Sequence, residues 1–211
     1  MSPEPRKKLH PIIKIAIALA VLAGLGILFV RSVKDARSEP YQMVAAHLSG
    51  WTIAAAAADD SSGAALLLRP PAELPHNLFR QLFSRQMESL ATPIEPGIAL
   101  ALRNEVAAGV TGDQLVALAR AAGLDSATLT PRCVGYRRVS SRGATRQLYF
   151  VWFPSPQYDA FRERLATLAT PSYQANALSP VMLTAAEPDF AGWHPVVVDE
   201  AADCVAPVTV R

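Results

Sequence analysis

The side chains of this chain whose types could do chemistry are four histidines, two cysteines and two short acidic clusters. The histidines are His10, His47, His76 and His194. None has an Asp, Glu or Cys at a spacing typical of a metal site or a catalytic triad. We interpret the acidic clusters, Asp59-Asp60 and Asp199-Glu200-x-x-Asp203, as solvated loop charge, because each holds too few ligands for a cation. Phosphate-loop, dinucleotide, zinc-protease and nucleophile-elbow motifs are absent from the sequence. We therefore predict no catalytic, cofactor-binding or metal-ligating residues.

Cys133 and Cys204 are the only cysteines of the chain. They form neither a C-x-x-C motif nor a cysteine–histidine cluster, so metal binding and haem attachment are not indicated. An even number of cysteines outside the cytoplasm favours a disulfide. Closing a loop of about 70 residues would stabilise the fold by about 4 kcal/mol in the chain-entropy treatment. The alternative is two buried free thiols, which we would expect if the domain faced the cytoplasm.

Five arginines cluster on a predicted β-hairpin that runs from Cys133 to Phe153 and turns near 140–144. They are Arg132, Arg137, Arg138, Arg142 and Arg146. Three uses fit the cluster: a solvated edge that discourages strand pairing, contact with anionic lipid headgroups, or docking of an acidic partner through Arg–carboxylate pairs. Since neighbouring residues of a strand point to opposite faces, Arg137 and Arg138 cannot both belong to one patch.

The basic charge of the chain is concentrated near its N-terminus. Residues 1–37 hold seven Lys and Arg against two acids, whereas residues 38–211 hold thirteen Arg against sixteen acids. The larger part is therefore slightly acidic, and we expect no nucleic-acid partner. The absence of Lys after Lys34, together with abundant Ala, Pro and Arg, is typical of a GC-rich bacterial genome.

The segment Ile12–Val30 is apolar except for Lys14 and predicts a transmembrane helix. Its nineteen residues would span about 28 Å, close to the thickness of the hydrocarbon core. Basic residues flank both ends, with a modest excess before the span that favours a cytoplasmic N-terminus. A cleaved signal peptide is the main alternative, but the apolar region is long and no clean small-x-small site follows it. We therefore expect a single-pass signal-anchor in the inner membrane and a periplasmic C-terminal domain.

One face of this predicted helix carries small side chains. Ala16, Ala20 and Gly24 recur at every fourth position, so they lie along one side of the helix. Such faces let two helices approach closely in lipid. We expect the partners to be the lipid bilayer and integral membrane protein subunits, although Ala and Gly are common in this chain and the helix could serve only as a tether.

The sequence divides into four parts: a cytoplasmic tail at 1–10, a transmembrane helix at 11–31, a membrane-proximal linker at 32–50 and a periplasmic domain at 51–211. We expect the helix to continue to Glu39-Pro40, and a short helix over Tyr41–Leu48 within the linker. For the domain we predict an α+β fold with a mixed, antiparallel-rich sheet and about three packed helices.

Strand–strand–helix–strand order appears twice in the predicted domain, starting at Trp51 and at Cys133. We predict a helix over Asn77–Leu90, and a second that starts with a capping box at Thr111–Gln114. A third begins at Ser155-Pro156, with an N-cap followed by proline at the first helical position. Further strands are predicted at Gly97–Arg103, Val181–Ala185 and Trp193–Asp199.

Together these features favour a non-enzymatic, single-pass accessory or scaffolding subunit of a larger membrane protein complex, with a respiratory or photosynthetic assembly as one host. The alternative is a membrane-anchored envelope binding module or assembly factor, which a well-formed apolar pocket would favour. An enzyme such as a hydrolase without a recognisable motif is a third hypothesis. It requires a cleft that joins a histidine to an acid and a serine.

Overall fold

The computed structural model describes residues 11–56, 63–86, 89–92, 96–141, 144–186 and 195–211. The chain divides into two units, one ending at Ser38 and the other comprising Glu39–Arg211. The first unit is helix α1 (Pro11–Ser38), which contains a stretch, Ile12–Ala36, long and apolar enough to cross a membrane. None of that stretch is buried within the chain. As expected, α1 ends just before Glu39-Pro40, where proline disfavours helical geometry in the residue before it.

The second unit is built on an eight-stranded sheet. Its strands are β1 (Tyr41–Met43), β2 (Thr52–Ala55), β3 (Ala64–Arg69), β4 (Ile98–Leu102), β5 (Cys133–Ser141), β6 (Ala144–Trp152), β7 (Val181–Ala186) and β8 (Cys204–Val210). Their order across the sheet is β1-β8-β5-β6-β7-β4-β3-β2. The β1–β8 pair is parallel and every other pair is antiparallel, which confirms the predicted mixed, antiparallel-rich sheet.

Three helices pack on one face of this sheet. They are α2 (Glu73–Arg85), α3 (Gly112–Ala121) and α4 (Pro156–Leu165); a short helix, α5 (Glu200–Asp203), precedes β8. Leu78 of α2, Leu115 of α3 and Phe161 of α4 belong to the same buried cluster as the inward side chains of the strands. The predicted α+β architecture is therefore confirmed for the described residues.

The predicted helix starts are present at α3 and α4. The Thr111 side chain accepts a hydrogen bond from Gln114 N, while the Gln114 side chain accepts one from Thr111 N, which forms the expected capping box. Ser155 caps α4 and Pro156 occupies its first position. Helix α2 differs, because it starts at Glu73 and not at Asn77. Pro75 is accommodated in its first turn, where backbone N–H groups have no helical partner.

The sheet contains two copies of a strand–strand–helix–strand unit. The first is β2-β3-α2-β4 and the second is β5-β6-α4-β7. Their last strands pair antiparallel in the middle of the sheet, with Ile98 opposite Met182. The repeated order expected from the sequence therefore corresponds to two equivalent halves joined at β4 and β7.

The central strands are buried on both faces. Along β6, Tyr149 and Val151 belong to the main core, whereas Leu148 and Phe150 belong to a second cluster on the opposite face. The consecutive apolar residues of Leu148–Phe153 predict a strand at the centre of a sheet, and the burial on both faces agrees with that prediction. All five residues of β4 are also buried, although its alternating pattern predicts a half-buried strand. The difference arises because β4 lies between β3 and β7, with apolar side chains on both faces.

Two predicted elements near the ends of the domain differ from the structure. Tyr41–Met43 is strand β1, followed by a 3-10 helix at Ala45–Leu48, where one short helix was predicted. The described residues 195–199 contain no strand; the last strand is β8, Cys204–Val210. The pairing of β1 could not be predicted, because its partner β8 lies at the far end of the domain and a three-residue pattern cannot show such a distant partner. The apolar side chains of Val196 and Val198 instead pack in the second hydrophobic cluster without forming a strand.

The outer edge of β1 is closed by a side chain of α2. Gln81 Oε1 accepts a hydrogen bond from Gln42 N at 2.9 Å, and Gln81 Nε2 donates one to Gln42 O at 2.7 Å. The amide group of Gln81 thus takes the place that a neighbouring strand would occupy.

Candidate functional site

Two arginines of the hairpin are bound to acids of the same domain. Arg137 Nε and Nη2 donate to the two carboxylate oxygens of Asp203, at 3.2 and 2.5 Å, and Nη2 also donates to Val197 O at 2.9 Å. Arg132 Nε lies 2.8 Å from Glu200 Oε1 in a solvent-exposed pair. The interpretation of the 199–203 cluster as solvated charge is therefore wrong for Asp203, which is only 7% exposed and holds Arg137.

Of the three remaining arginines of the cluster, two lie on the described strands β5 and β6, and one lies outside the described residues. Arg138 Nε donates to Tyr136 Oη at 2.9 Å, and Tyr136 packs against the main core. Arg137 lies opposite Leu148 of the second cluster, so the two adjacent arginines point to opposite faces, as predicted. Arg146 is opposite Val139, on the face of Arg137. Arg142 lies outside the described residues, and the role of these arginines in docking or headgroup contact stays a prediction.

Cys133 and Cys204 form a disulfide, which confirms the predicted bridge. Their Cα atoms are 5.7 Å apart, within the range that disulfides require. The bridge joins the first residue of β5 to the first residue of β8. It therefore holds the C-terminal strand, and α5 just before it, against the hairpin.

The predicted packing face of α1 is exposed within this chain. Ala16, Ala20 and Gly24 are all exposed, and a Cβ added at Gly24 would meet no atom within 4 Å. The face is thus available to a partner helix, and its use stays a prediction.

The described histidines do not assemble a hydrolase site. His47 lies in the 3-10 helix Ala45–Leu48, and its buried Nδ1 has no hydrogen-bond partner among the described residues. His76 is on the exposed side of α2. In the described part of the chain neither pairs with an acid or a serine, and no group of three His, Cys, Asp or Glu side chains could hold a metal ion. His10, His194, Asp59 and Asp60 lie outside the described residues.

A buried ion pair between Arg162 and Glu105 was not predicted from the sequence. Arg162 Nη2 lies 2.7 Å from Glu105 Oε1, and Nη1 lies 2.8 Å from Oε2. The other three guanidinium N–H groups donate to backbone carbonyls, namely those of Leu100, Gln174 and Ala175. Because every donor is satisfied, the pair orders the interior and leaves no group free for a ligand.

A sequence signal for this pair exists. Arg162 follows Tyr158 by four residues and precedes Leu165 by three, so it shares their face of α4. Tyr158 and Leu165 are buried, and Arg162 is only 1% exposed. An arginine within a buried stripe predicts a buried acidic partner, although the sequence does not say which acid.

The environment of this pair changes the pKa values of two tyrosines. Burial raises the pKa of Tyr158 far above its ordinary value, despite the opposing effect of the Arg162 charge. Burial likewise raises the pKa of Tyr173 to about 12. For Arg162, burial acts to lower the pKa, but the hydrogen bonds to Glu105 and the neighbouring groups outweigh it and raise the pKa.

The candidate functional site is a groove of about 570 Å³ within the second unit. One wall is formed by Ala45 and residues 48–51, the other by residues 125–131, and Val210 lies at one end. Leu48 is half-buried and Val210 is exposed, so both offer apolar surface, whereas Trp51 and Leu129 are mostly enclosed by the core. The polar residues Ser126, Thr128 and Thr130 are exposed on the second wall. Among the described residues that line the groove, Asp125 alone is charged. The groove therefore suits an uncharged ligand with apolar groups.

The first wall is fixed by the core and by the C-terminus. The Trp51 ring lies 5.4 Å from the Phe153 ring in an edge-to-face arrangement, and its Nε1 donates to Leu48 O at 3.0 Å. Gly50 has a φ of 82°, a left-handed conformation that glycine adopts without strain, at the turn between the 3-10 helix and β2. Ala45 N donates to Arg211 O at 2.8 Å and extends the β1–β8 pairing to the edge of the groove.

The groove opens where β5 and β8 separate. The hydrogen-bonded pairing of β5 with β8 ends at Cys133, which lies opposite Pro207. Pro131 comes two residues before Cys133 in the sequence. Because proline has no backbone N–H, neither Pro131 nor Pro207 can donate a hydrogen bond that would continue the pairing of β5 with β8. The segment 127–131 therefore runs without a partner strand beside the groove.

Comparisons of the chain with protein-family models, with curated protein sequences and with solved structures found no match.

Proposed function

We propose that this protein is a membrane-anchored, non-enzymatic binding module whose domain holds a ligand or client protein in the groove between residues 45–51 and 125–131. The observation that supports this most directly is the groove itself: about 570 Å³ of space, lined mainly by apolar residues, with Ser126, Thr128 and Thr130 on one wall. Sites of this volume and lining accept peptide segments or small molecules.

The location we propose is the inner membrane, with the N-terminus in the cytoplasm and the domain in the periplasm. The apolar stretch Ile12–Ala36 supports an anchor, and the Cys133–Cys204 disulfide supports a domain outside the reducing cytoplasm. Only Glu39 and Pro40 separate α1 from β1 along the chain. The ligand would therefore be bound by a domain that follows its anchor with almost no linker.

A stable subunit of a larger membrane complex is the second candidate function. It is favoured by the exposed small-residue face of α1, formed by Ala16, Ala20 and Gly24. It is less favoured than binding in the groove, because Arg132 and Arg137 of the proposed docking cluster are already paired with Glu200 and Asp203. Those two arginines would have to break internal ion pairs to bind an acidic partner.

Photocrosslinking from the groove tests the first candidate. The full-length chain is expressed in a bacterial membrane with Thr128→p-benzoylphenylalanine, and a matched variant carries the crosslinker at Thr167, an exposed threonine next to α4. We expect a discrete adduct from position 128 and none from position 167. Equal labelling from both positions, or no adduct from position 128, would contradict a binding role for the groove.

Native electrophoresis after extraction in mild detergent tests the second candidate. A stable subunit would migrate with its complex whether or not the groove is blocked. A binding module would migrate largely alone, and its adducts would depend on the groove. The two functions therefore give different results with the same membranes.

A further inference from the structure

The wall of the groove formed by residues 127–130 is a strip of backbone without hydrogen-bond partners. Among the described contacts, neither the N–H groups nor the carbonyl groups of Ala127, Thr128, Leu129 and Thr130 take part in a backbone hydrogen bond. These residues lie in neither a helix nor a strand. Arg132 N, in contrast, already donates to Trp152 O. The unpaired strip thus begins where the sheet pairing of β5 ends.

The unpaired backbone groups of residues 127–130 favour one class of ligand over another. An acyl chain that covered it would bury several backbone N–H and carbonyl groups without partners, and each such group is costly to remove from water. An extended peptide would instead supply a carbonyl or an N–H to those backbone groups that face the groove, as in the addition of a strand to a sheet edge. Its alternate side chains would meet Leu48, Val210 and the exposed part of Trp51.

The rest of the lining restricts the sequence of such a peptide. Among the described lining residues Asp125 alone is charged, so a peptide with carboxylates would meet a negative charge there. Ser126, Thr128 and Thr130 are exposed polar residues of the same wall. The apolar side chains of the peptide have to be of moderate size, since they share about 570 Å³ with its backbone.

We propose that the ligand of this groove is an extended, uncharged peptide segment of a partner protein, which pairs by backbone hydrogen bonds with residues 127–130 and places apolar side chains against Leu48, Val210 and the exposed part of Trp51. This inference rests on the proposed binding function. It adds the chemical class of the ligand and the backbone strip that recognises it.

The test uses the full-length chain in phosphatidylcholine nanodiscs and three peptides. The probe is a capped octapeptide, Ser-Thr-Val-Thr-Leu-Thr-Val-Ser, and two controls carry N-methyl groups on its odd or on its even residues. Trp152→Phe and Trp193→Phe leave Trp51 as the fluorescent reporter. Hydrogen exchange measured by mass spectrometry follows the segment 125–132.

We expect the unmodified peptide to change Trp51 fluorescence and to slow amide exchange in the segment 125–132. At least one N-methylated peptide should bind about tenfold more weakly, because one or two hydrogen bonds are lost. A peptide that binds equally well after either methylation, or that leaves exchange in the segment unchanged, would overturn the inference.

Two variants at one position provide the matched control in the protein. Thr128→Pro removes the N–H of residue 128, whereas Thr128→Ala keeps the N–H and removes the hydroxyl and methyl groups of the side chain. Since Thr128 is exposed and makes no recorded hydrogen bond, both variants should fold. We expect Thr128→Pro, which lacks both the side chain of Thr128 and its backbone donor, to bind the peptide about tenfold more weakly than Thr128→Ala, which lacks the side chain alone. An equal effect of the two variants would contradict backbone pairing.

A lipid occupant gives a different result in the same samples. If dibrominated phosphatidylcholine quenches Trp51 while the peptides have no effect, the groove binds acyl chains; the peptide inference is then wrong and the binding function stands. If neither probe reaches Trp51, the peptide inference is also overturned. Photocrosslinking from position 128 then decides separately whether the groove binds anything.

Discussion

The guanidinium group of Arg162 and the carboxylate of Glu105 meet inside the domain, with Nη2 2.7 Å from Oε1 and Nη1 2.8 Å from Oε2. Glu105 Oε2 also accepts a hydrogen bond from Leu102 N at 2.8 Å. The pair therefore ties α4 to the end of β4 and to the 3-10 helix Arg103–Glu105. Because both side chains are almost completely enclosed, the consequence of removing either one is large.

Removing only the acid should destabilise the domain strongly. Glu105→Ala leaves the Arg162 charge buried without its partner, and we expect the free energy of unfolding to fall by about 3–5 kcal/mol. Glu105→Leu combined with Arg162→Met should be less destabilised than the sum of the two single variants. Urea unfolding of the full-length protein in detergent micelles, followed by tryptophan fluorescence, measures both. Additive effects would contradict a coupled buried pair.

The disulfide should contribute substantially to stability. Replacing both Cys133 and Cys204 with serine removes a constraint on a loop of 71 residues, and the chain-entropy treatment gives a loss of about 4 kcal/mol. Equilibrium unfolding under oxidising and reducing conditions measures the loss. The double variant should not respond to reductant. A wild-type protein that also does not respond would contradict the bridge.

Gln81 should protect the edge of the sheet. Gln81→Leu removes both hydrogen bonds to the backbone of Gln42, and we expect a loss of about 1–2 kcal/mol and faster amide exchange at Gln42. Ser84→Ala is the matched control, because the Ser84 hydroxyl donates only to Gln81 O within α2. Exchange at Gln42 that is equally fast in both variants would show that Gln81 does not close this edge.

Stability should decrease above pH 10 because of two tyrosines. In the native state the pKa of Tyr173 is raised to about 12 and that of Tyr158 is raised further, whereas unfolded tyrosine has a pKa near 10. Above pH 10 the unfolded chain therefore binds fewer protons than the native protein, and the free energy of unfolding falls as pH rises. Below pH 10 the contribution of Tyr158 and Tyr173 to the free energy of unfolding is fully present.

Substitution of both tyrosines checks this pH dependence. The Tyr158→Phe and Tyr173→Phe double variant should show a shallower decline in stability between pH 10 and pH 12 than the wild type. Urea midpoints across that range measure the slope. Identical slopes for the two proteins would contradict the raised pKa values.

The small-residue face of α1 gives a prediction for helix association. Gly24→Ile places a branched side chain on the face shared with Ala16 and Ala20, and should abolish helix association in the membrane. Gly26→Ile adds the same side chain about 200° away around the helix and should leave association unchanged. A Cβ atom added at either glycine has no atom of another residue's side chain within 4 Å in this chain. A bacterial two-hybrid reporter for membrane helices measures the association, and equal losses would contradict a specific face.

Local signals in the sequence predicted the elements that depend on nearby residues. The capping box at Thr111, the Ser155-Pro156 start of α4 and the two strands of the β5–β6 hairpin are all specified within a few residues. The disulfide was also predictable, because only one pairing of two cysteines exists. The repeated strand–strand–helix–strand order followed from the same local patterns.

Features that depend on distant residues were missed. β1 is a three-residue strand whose partner is the last strand of the chain, so no local pattern shows it. The groove forms beside Pro131, where the pairing of β5 with β8 ends at Cys133 and Pro207. Arg162 likewise contacts Glu105, 57 positions away in the sequence. Since one sequence gives no information on which distant residues meet, the candidate site became visible only in the structure.

Every functional proposal made for this chain requires that α1 remains attached and that the domain lies outside the cytoplasm. Protease treatment of osmotically opened cells, with a different epitope tag at each end of the full-length chain, tests this most directly. We predict that the C-terminal tag is digested from outside, while the N-terminal tag stays protected and attached to a fragment that contains α1. A C-terminal tag that becomes accessible only after the inner membrane is lysed, or a mature chain that begins after Val30, would contradict the account.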